Sequence, residues 1–300
     1  MGGIISIALI WAIYLQLNNQ ADNFQGVIWK TGASKYLVLC LAIMPINLAL
    51  ESVKWRLLAG SAQPMNYFQA VKSVLAGIAL SIITPNRIGE YPGRILYLKR
   101  KNTFRLISVS ILGIVAQMLT MFIYGLAGLF FYNLYYPATF PFIALTACLV
   151  MTIVISLLYW SFEKWAPIME RIKWLRRFNI YGQLLKRFST GEQLTILLIS
   201  LLRYGIYTAQ YLILLKWMDI HLPLLEGFLM SALFFWVIAV VPNIALAELP
   251  QRGQIAIFLF QRYTDNLAGV LVATAGVWAI NLILPAIVGS LLVLKMRFVR

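Results

Sequence analysis

Two short stretches decide how this chain folds: Pro85-Asn86-Arg87-Ile88-Gly89-Glu90-Tyr91-Pro92-Gly93-Arg94 and Pro242-Asn243-Ile244-Ala245-Leu246-Ala247-Glu248-Leu249-Pro250-Gln251-Arg252. Both read Pro-Asn, a spacer of three or four residues, then Glu-x-Pro-x-Arg. Each follows an apolar run, Tyr67 to Ile83 and Leu224 to Val241, and interrupts it where a membrane-crossing helix should continue. Proline lacks a backbone donor and clashes with the preceding turn, so Pro85 and Pro242 are expected to stop the incoming helices. Pro92 and Pro250 suit the first turn of an outgoing helix, where the missing N–H costs nothing. Gly89, Gly93 and Gly253 are expected to permit tight backbone turns. The two runs therefore read as half-spans.

Working outward, the rest of the chain is a membrane protein by composition. Of 300 residues, 61% are apolar or aromatic and only 12% charged, a balance that a water-exposed surface could not carry. Crossing a hydrocarbon core of about 30 Å takes roughly 20 apolar residues at 1.5 Å each. Five runs meet that length: Lys35 to Leu50 with the stem to Arg56, Leu106 to Tyr132, Phe140 to Trp160, Leu194 to Leu215 and Leu267 to Leu294. Ile4 to Leu17 reads as a further, first span rather than a signal peptide, because no Lys or Arg precedes it and no small-x-small cleavage site follows.

The net charge of +15 belongs to the flanks of these runs. With the half-spans re-entrant and the N-terminus cytoplasmic, sixteen basic residues fall in cytoplasmic segments. Only Lys30, Lys216 and Arg262 fall outside. If the first half-span crossed fully, the cluster of seven from Lys164 to Arg187 would move to the outer face. The expected fold is thus an all-α polytopic membrane protein, with about six full spans plus two re-entrant broken-helix hairpins arranged as an inverted repeat. Residues 1–33 form the first span and outer loop, and 34–134 the first repeat half. Residues 135–192 form a span and a cytoplasmic linker, and 193–300 the second half. In that linker Trp165, Ile168, Met169, Ile172, Leu175 and Phe178 follow helical spacing beside Arg171, Lys173, Arg176 and Arg177, the pattern of an interfacial helix on anionic lipid.

The repeated patch is the candidate binding site. Arg94 and Arg252 supply forked, permanently charged donors matched to phosphate or carboxylate oxygens. Asn86 and Asn243 add polar groups at the same turns, and a phospholipid headgroup is the anion this setting offers. Glu90 and Glu248 stand four residues before their arginines. They read either as neutralising ion-pair partners or as groups that take a proton when a ligand competes for the arginine. Arg203, Tyr207, Gln210 and Tyr211 share one stripe of a span, as do Asn47, Glu51 and Lys54. Lys54 and Lys72 are expected to snorkel to the interface. His221 reads as a surface group. One histidine and two cysteines, Cys40 and Cys148, both inside apolar runs, offer no metal-ligand set or disulfide framework.

The stretch Thr84 to Arg94 resembles the Pro-Gly-Arg-x-Gly-Glu signature, followed by a further Arg, of the lysylphosphatidylglycerol synthase transmembrane region, also called flippase-like. Asn86 stands where that signature has Gly. Lys54-Trp55-Arg56-Leu57-Leu58 resembles the family's basic-Trp-Arg stem, and Glu248 to Gly253 more loosely its late patch. The resemblance implies roles for Arg87, Glu90 and Arg94, a bacterial-type inner (plasma) membrane with both termini cytoplasmic, and movement of aminoacylated or anionic lipid between leaflets. No aminoacyl-transfer domain is expected here, so a separate protein would make any lysyl lipid. Three function classes stay open: a translocator of a phospholipid or lipid-linked phosphate, an accessory subunit for a membrane lipid synthase or glycosyltransferase, and an intramembrane lipid-modifying enzyme. No nucleophile, metal or nucleotide signature is recognised, so the expectation is a non-enzyme without cofactors and without nucleic-acid partners.

Overall fold

Each long apolar run described by the computed structural model is a helix of spanning length. The structure describes residues 35–82, 84, 89–96, 98, 103–161, 188–241 and 248–298, and no strand occurs among them. Helix α1 is Lys35–Gly60, α2 Tyr67–Ile82, α3 Glu90–Ile95, α4 Thr103–Tyr135 and α5 Thr139–Trp160. After the linker come α6 Thr190–Trp217, α7 Leu224–Val240, α8 Glu248–Phe260 and α9 Leu267–Trp278. A π-turn, Ala279–Ile283, joins α9 to α10, Leu284–Phe298. Five helical runs among the described residues can cross a membrane by length and composition, and α2 and α7 are shorter apolar helices. The expected first span, Ile4 to Leu17, and the amphipathic linker lie outside the described residues.

Side chains close several helix starts. Asn66 Oδ1 accepts from Gln69 N at 2.8 Å while Gln69 Oε1 accepts from Asn66 N at 3.1 Å, a reciprocal cap for α2. Ser189 and Glu192 form the corresponding box at α6. Asn266 Oδ1 accepts from Gly269 N at 2.9 Å at the start of α9. The two shorter apolar helices end ahead of the prolines in sequence, α2 at Ile82 and α7 at Val240. Both outgoing helices begin at the Glu of the repeat, with Pro third and Arg fifth.

The glycines of the first patch act differently from the expectation. No described glycine has a positive φ, and Gly89 itself sits at φ −62°. Their role is close approach. Helix α3 folds back antiparallel on α2, so that a Cβ on Gly93 would lie 2.7 Å from both the Ala76 carbonyl oxygen and Gly77 Cα. A Cβ on Gly77 would lie 2.7 Å from the Glu90 carbonyl oxygen. Inside a bilayer, where lipid tails are as apolar as leucine, such small-residue contacts rather than hydrophobic exclusion hold helices together.

Residues 35–135 and 190–298 pack against each other through several helix pairs. Helix α1 packs antiparallel to α6: Gln210 Nε2 donates to the Cys40 carbonyl at 2.8 Å near one end, and Lys54 reaches Ser200 near the other. The short helix α2 packs on α10, where Gly289 meets the Leu75 carbonyl and Ala79. The short helix α7 packs on α4, where a Cβ on Gly128 would lie 2.7 Å from the Leu229 carbonyl oxygen. Helix ends also pair: Lys216 stands over the Tyr36 ring, Arg262 lies 4.1 Å from the Tyr136 ring centroid, and Tyr159 Oη donates to the Gln193 carbonyl at 2.6 Å.

Candidate functional site

A cavity of about 650 Å³ opens inside the bundle, with walls from α1, α4, α6 and α7 and from the outgoing helices α3 and α8. That volume falls within the range of about 300–1,000 Å³ common for small-molecule sites. Its polar lining is dominated by charge. Arg203 stands 13 residues from Thr190 and 14 from Trp217 in α6, which places it about 20 Å from either end of the helix at 1.5 Å per residue.

The hub is Glu51, a residue legible in the sequence only as one member of a polar stripe. Its Oε1 accepts from Arg94 Nη2 at 2.6 Å, and its Oε2 accepts from Arg203 Nη1 and lies 3.0 Å from Lys54 Nζ. One carboxylate thus holds cations from α1, α3 and α6. Asn47, one turn earlier, accepts from Arg203 Nε at 2.9 Å and fixes the plane of that guanidinium. Lys54 is buried, with Gln117 Oε1 and Ser200 Oγ each 3.4 Å away. It therefore does not snorkel: the carboxylate beside it supplies inside the protein what the interface would supply outside. Lys72, by contrast, is exposed. Charges taken from water at this depth persist only when paired.

Arg94 is positioned from three sides. Its guanidinium also donates to the Glu90 carboxylate, the i, i+4 partner, and Glu90 lies inside α3 despite the intervening Pro92. The ion-pair reading of Glu90 is therefore what the geometry contains. The Arg94 carbonyl accepts from Ser73 Oγ, which itself accepts from Trp55 Nε1 at 2.8 Å, and the Trp55 ring lies 5.3 Å from the Arg94 guanidinium carbon. The basic-Trp-Arg stem thus serves the patch: Lys54 and Trp55 face it, while Arg56 is exposed.

Arg252 from α8 is buried and lines the same cavity. The structure therefore brings together Glu90, Arg94, Arg203 and Arg252 of the expected site. Asn86, Arg87 and Asn243 lie outside the described residues, and Glu248 is described only as the first residue of α8. Beyond Arg203, its helix stripe splits in function. Tyr207 lines the cavity, whereas Gln210 and Tyr211 are fully buried, bonded to Asn281 Nδ2 at 2.8 Å and Thr274 Oγ1 at 2.9 Å. Asn281 faces the cavity from the π-turn, a contribution no periodicity in the sequence announced. His221 is exposed in the α6–α7 loop beside Asp219, as expected of a surface group. Among the described residues no cluster of histidine, cysteine and carboxylate side chains could hold a metal ion.

Helices of spanning length around a charged interior cavity define a polytopic helical membrane protein. Residues 1–247 match the family described as lysylphosphatidylglycerol synthase TM region, and the chain belongs to it. That membership and the apolar helices support a membrane location and a lipid-related role. Neither the curated proteins nor the solved structures compared with the chain gave a match.

Proposed function

We propose that the protein is a translocator that moves an anionic or aminoacylated phospholipid, or a lipid-linked phosphate, between leaflets. One observation carries this reading: Lys54, Arg94, Arg203 and Arg252 line a mid-depth cavity in which the described carboxylates are Glu51 and Glu90. Guanidinium forks match phosphate oxygens, and a headgroup could occupy such a cavity while its tails stay in hydrocarbon. The reading includes the inverted repeat, with α2–α3 and α7–α8 as re-entrant hairpins and both termini cytoplasmic. The reciprocal packing of α2 on α10 and α7 on α4 supports it, as does the shared Glu-x-Pro-x-Arg start of α3 and α8. The pairing of Tyr36 with Lys216 and of Tyr136 with Arg262 fits helix ends that the charge bias puts on one side.

Leaflet exchange of labelled phosphatidylglycerol in proteoliposomes tests the proposal. Wild type should exchange the lipid, and R94A/R252A, eluting as a monodisperse peak like wild type, should not. Equal exchange by the double variant would remove the headgroup site from these arginines. No exchange by wild type would turn the reading toward an accessory subunit.

A further inference from the structure

We infer that Glu51 is a built-in substitute for the ligand: its carboxylate occupies the cradle that a lipid phosphodiester takes, and it gives way by accepting a proton. The inference rests on the headgroup reading above and names how that site is regulated. Three features of the geometry lead to it.

The first is equivalence. A phosphodiester carries one negative charge and presents two non-bridging oxygens, as a carboxylate does. Glu51 uses both oxygens in the way a phosphodiester would, one toward Arg94 and the other shared by Arg203 and Lys54. Three of the four cations that a headgroup would seek are therefore already engaged by the same carboxylate.

The second is charge balance. Around Glu51 stand Lys54 from its own helix, Arg94 and its partner Glu90 from α3, and Arg203 from α6, with Tyr91 of α3 and Tyr204 and Tyr207 of α6 lining the same cavity. Arg252 of α8 lines the same cavity. Among the described residues, α2, α4, the π-turn and α10 contribute no ionisable side chain to the lining. A diester anion arriving beside ionised Glu51 and Glu90 adds a third negative charge to the cavity. If the Glu51 carboxylate takes a proton from the aqueous phase as the diester replaces it, the charge of the cavity is the same before and after. Glu90 cannot play this part as directly, because it contacts Arg94 alone among the three.

The third is connectivity. Arg94 belongs to the first half and Arg203 to the second, so Glu51 is the link between them across the cavity. Releasing it exchanges an internal tie for one through the ligand, so headgroup binding and proton uptake become one event.

The test is calorimetric titration of the full chain in detergent with dihexanoylphosphatidylglycerol, in two buffers of different ionisation enthalpy. The variants E51Q and E51Q/R203Q are run alongside; the double variant keeps the cradle's charge and serves where E51Q alone does not fold. Wild type should take up a proton on binding, with affinity rising as pH falls, by up to about tenfold per pH unit for one coupled proton. Both variants should bind with no proton uptake and a flat pH profile, and E51Q should bind more tightly than wild type. Uptake unchanged in a folded variant overturns the role of Glu51 while leaving the headgroup site standing. Absence of lipid binding by wild type overturns both. The deacylated diester glycerophosphoglycerol should bind more weakly with the same proton count; binding as tight as the lipid would make the site one for a soluble diester and overturn the lipid assignment.

Discussion

Gly93→Ala tests the hinge on which the site hangs. The new Cβ would lie 2.7 Å from the Ala76 carbonyl oxygen and 2.7 Å from Gly77 Cα. Both are backbone atoms, so no rotamer change relieves the clash. Carbon atoms pack at about 3.5–4.0 Å, so α3 must lift from α2 by about 1 Å. Overpacking of this kind costs roughly 1–3 kcal/mol. The lift also carries Arg94, the next residue, away from Ser73 and Glu51, so the charged cluster loosens together with the hairpin. Thermal melting in detergent should show a midpoint several degrees below wild type, and lipid exchange should fall in the same preparation. Gly60→Ala, at the end of α1 with nothing within 4 Å of the added carbon, should melt like wild type or slightly higher. A Gly93→Ala protein as stable as the Gly60→Ala control would refute the close α2–α3 packing.

Arg203→Gln leaves Glu51 short of one cation and Asn47 without its donor, and should destabilise the protein by up to about 3 kcal/mol. In a double-mutant cycle of melting free energies, E51Q/R203Q should lose clearly less than the two single variants together; additivity would mean the pair does not interact. Trp55→Phe removes the indole donor to Ser73 and should cost about 1 kcal/mol, since the Ser73 bond to the Arg94 carbonyl persists. Single cysteines at Gly191 and Thr139 should react with a membrane-impermeant maleimide from opposite faces, the buried Cys40 and Cys148 staying silent. Labelling from one face would overturn the proposed topology.

The spans and half-spans were legible because length and hydropathy in a bilayer leave few alternatives. Tyr67–Ile82 and Leu224–Val240 end within a residue of the runs read from sequence. The Glu-x-Pro-x-Arg patches gave the two helix starts because proline tolerates little else. Glu51 was harder to see. Its stripe with Asn47 and Lys54 was visible, but a period says which residues share a face, not which face meets Arg94 and Arg203 across the fold. Lys54 was misplaced for the same reason, since a lysine near a helix end snorkels unless a carboxylate is brought to it. The glycines were assigned to turns because their use in close packing depends on what lies opposite.

The π-turn at Ala279–Ile283 has a consequence for how the last span tolerates change. Pro285 would press its ring on the carbonyl of Asn281 in an unbroken α-helix, and the widened turn accommodates it by one additional residue. Hydropathy sees Leu267–Leu294 as a single uninterrupted segment, but its two ends are out of phase by about 100° relative to a straight helix. That offset lets Thr274 address Tyr211 on one side of the turn while Gly289 meets α2 on the other. Removing a single residue from the turn would leave the segment long enough to cross, yet rotate Gly289 off its neighbour. The last span is thus sensitive to length by one residue where its hydrophobic thickness has several to spare.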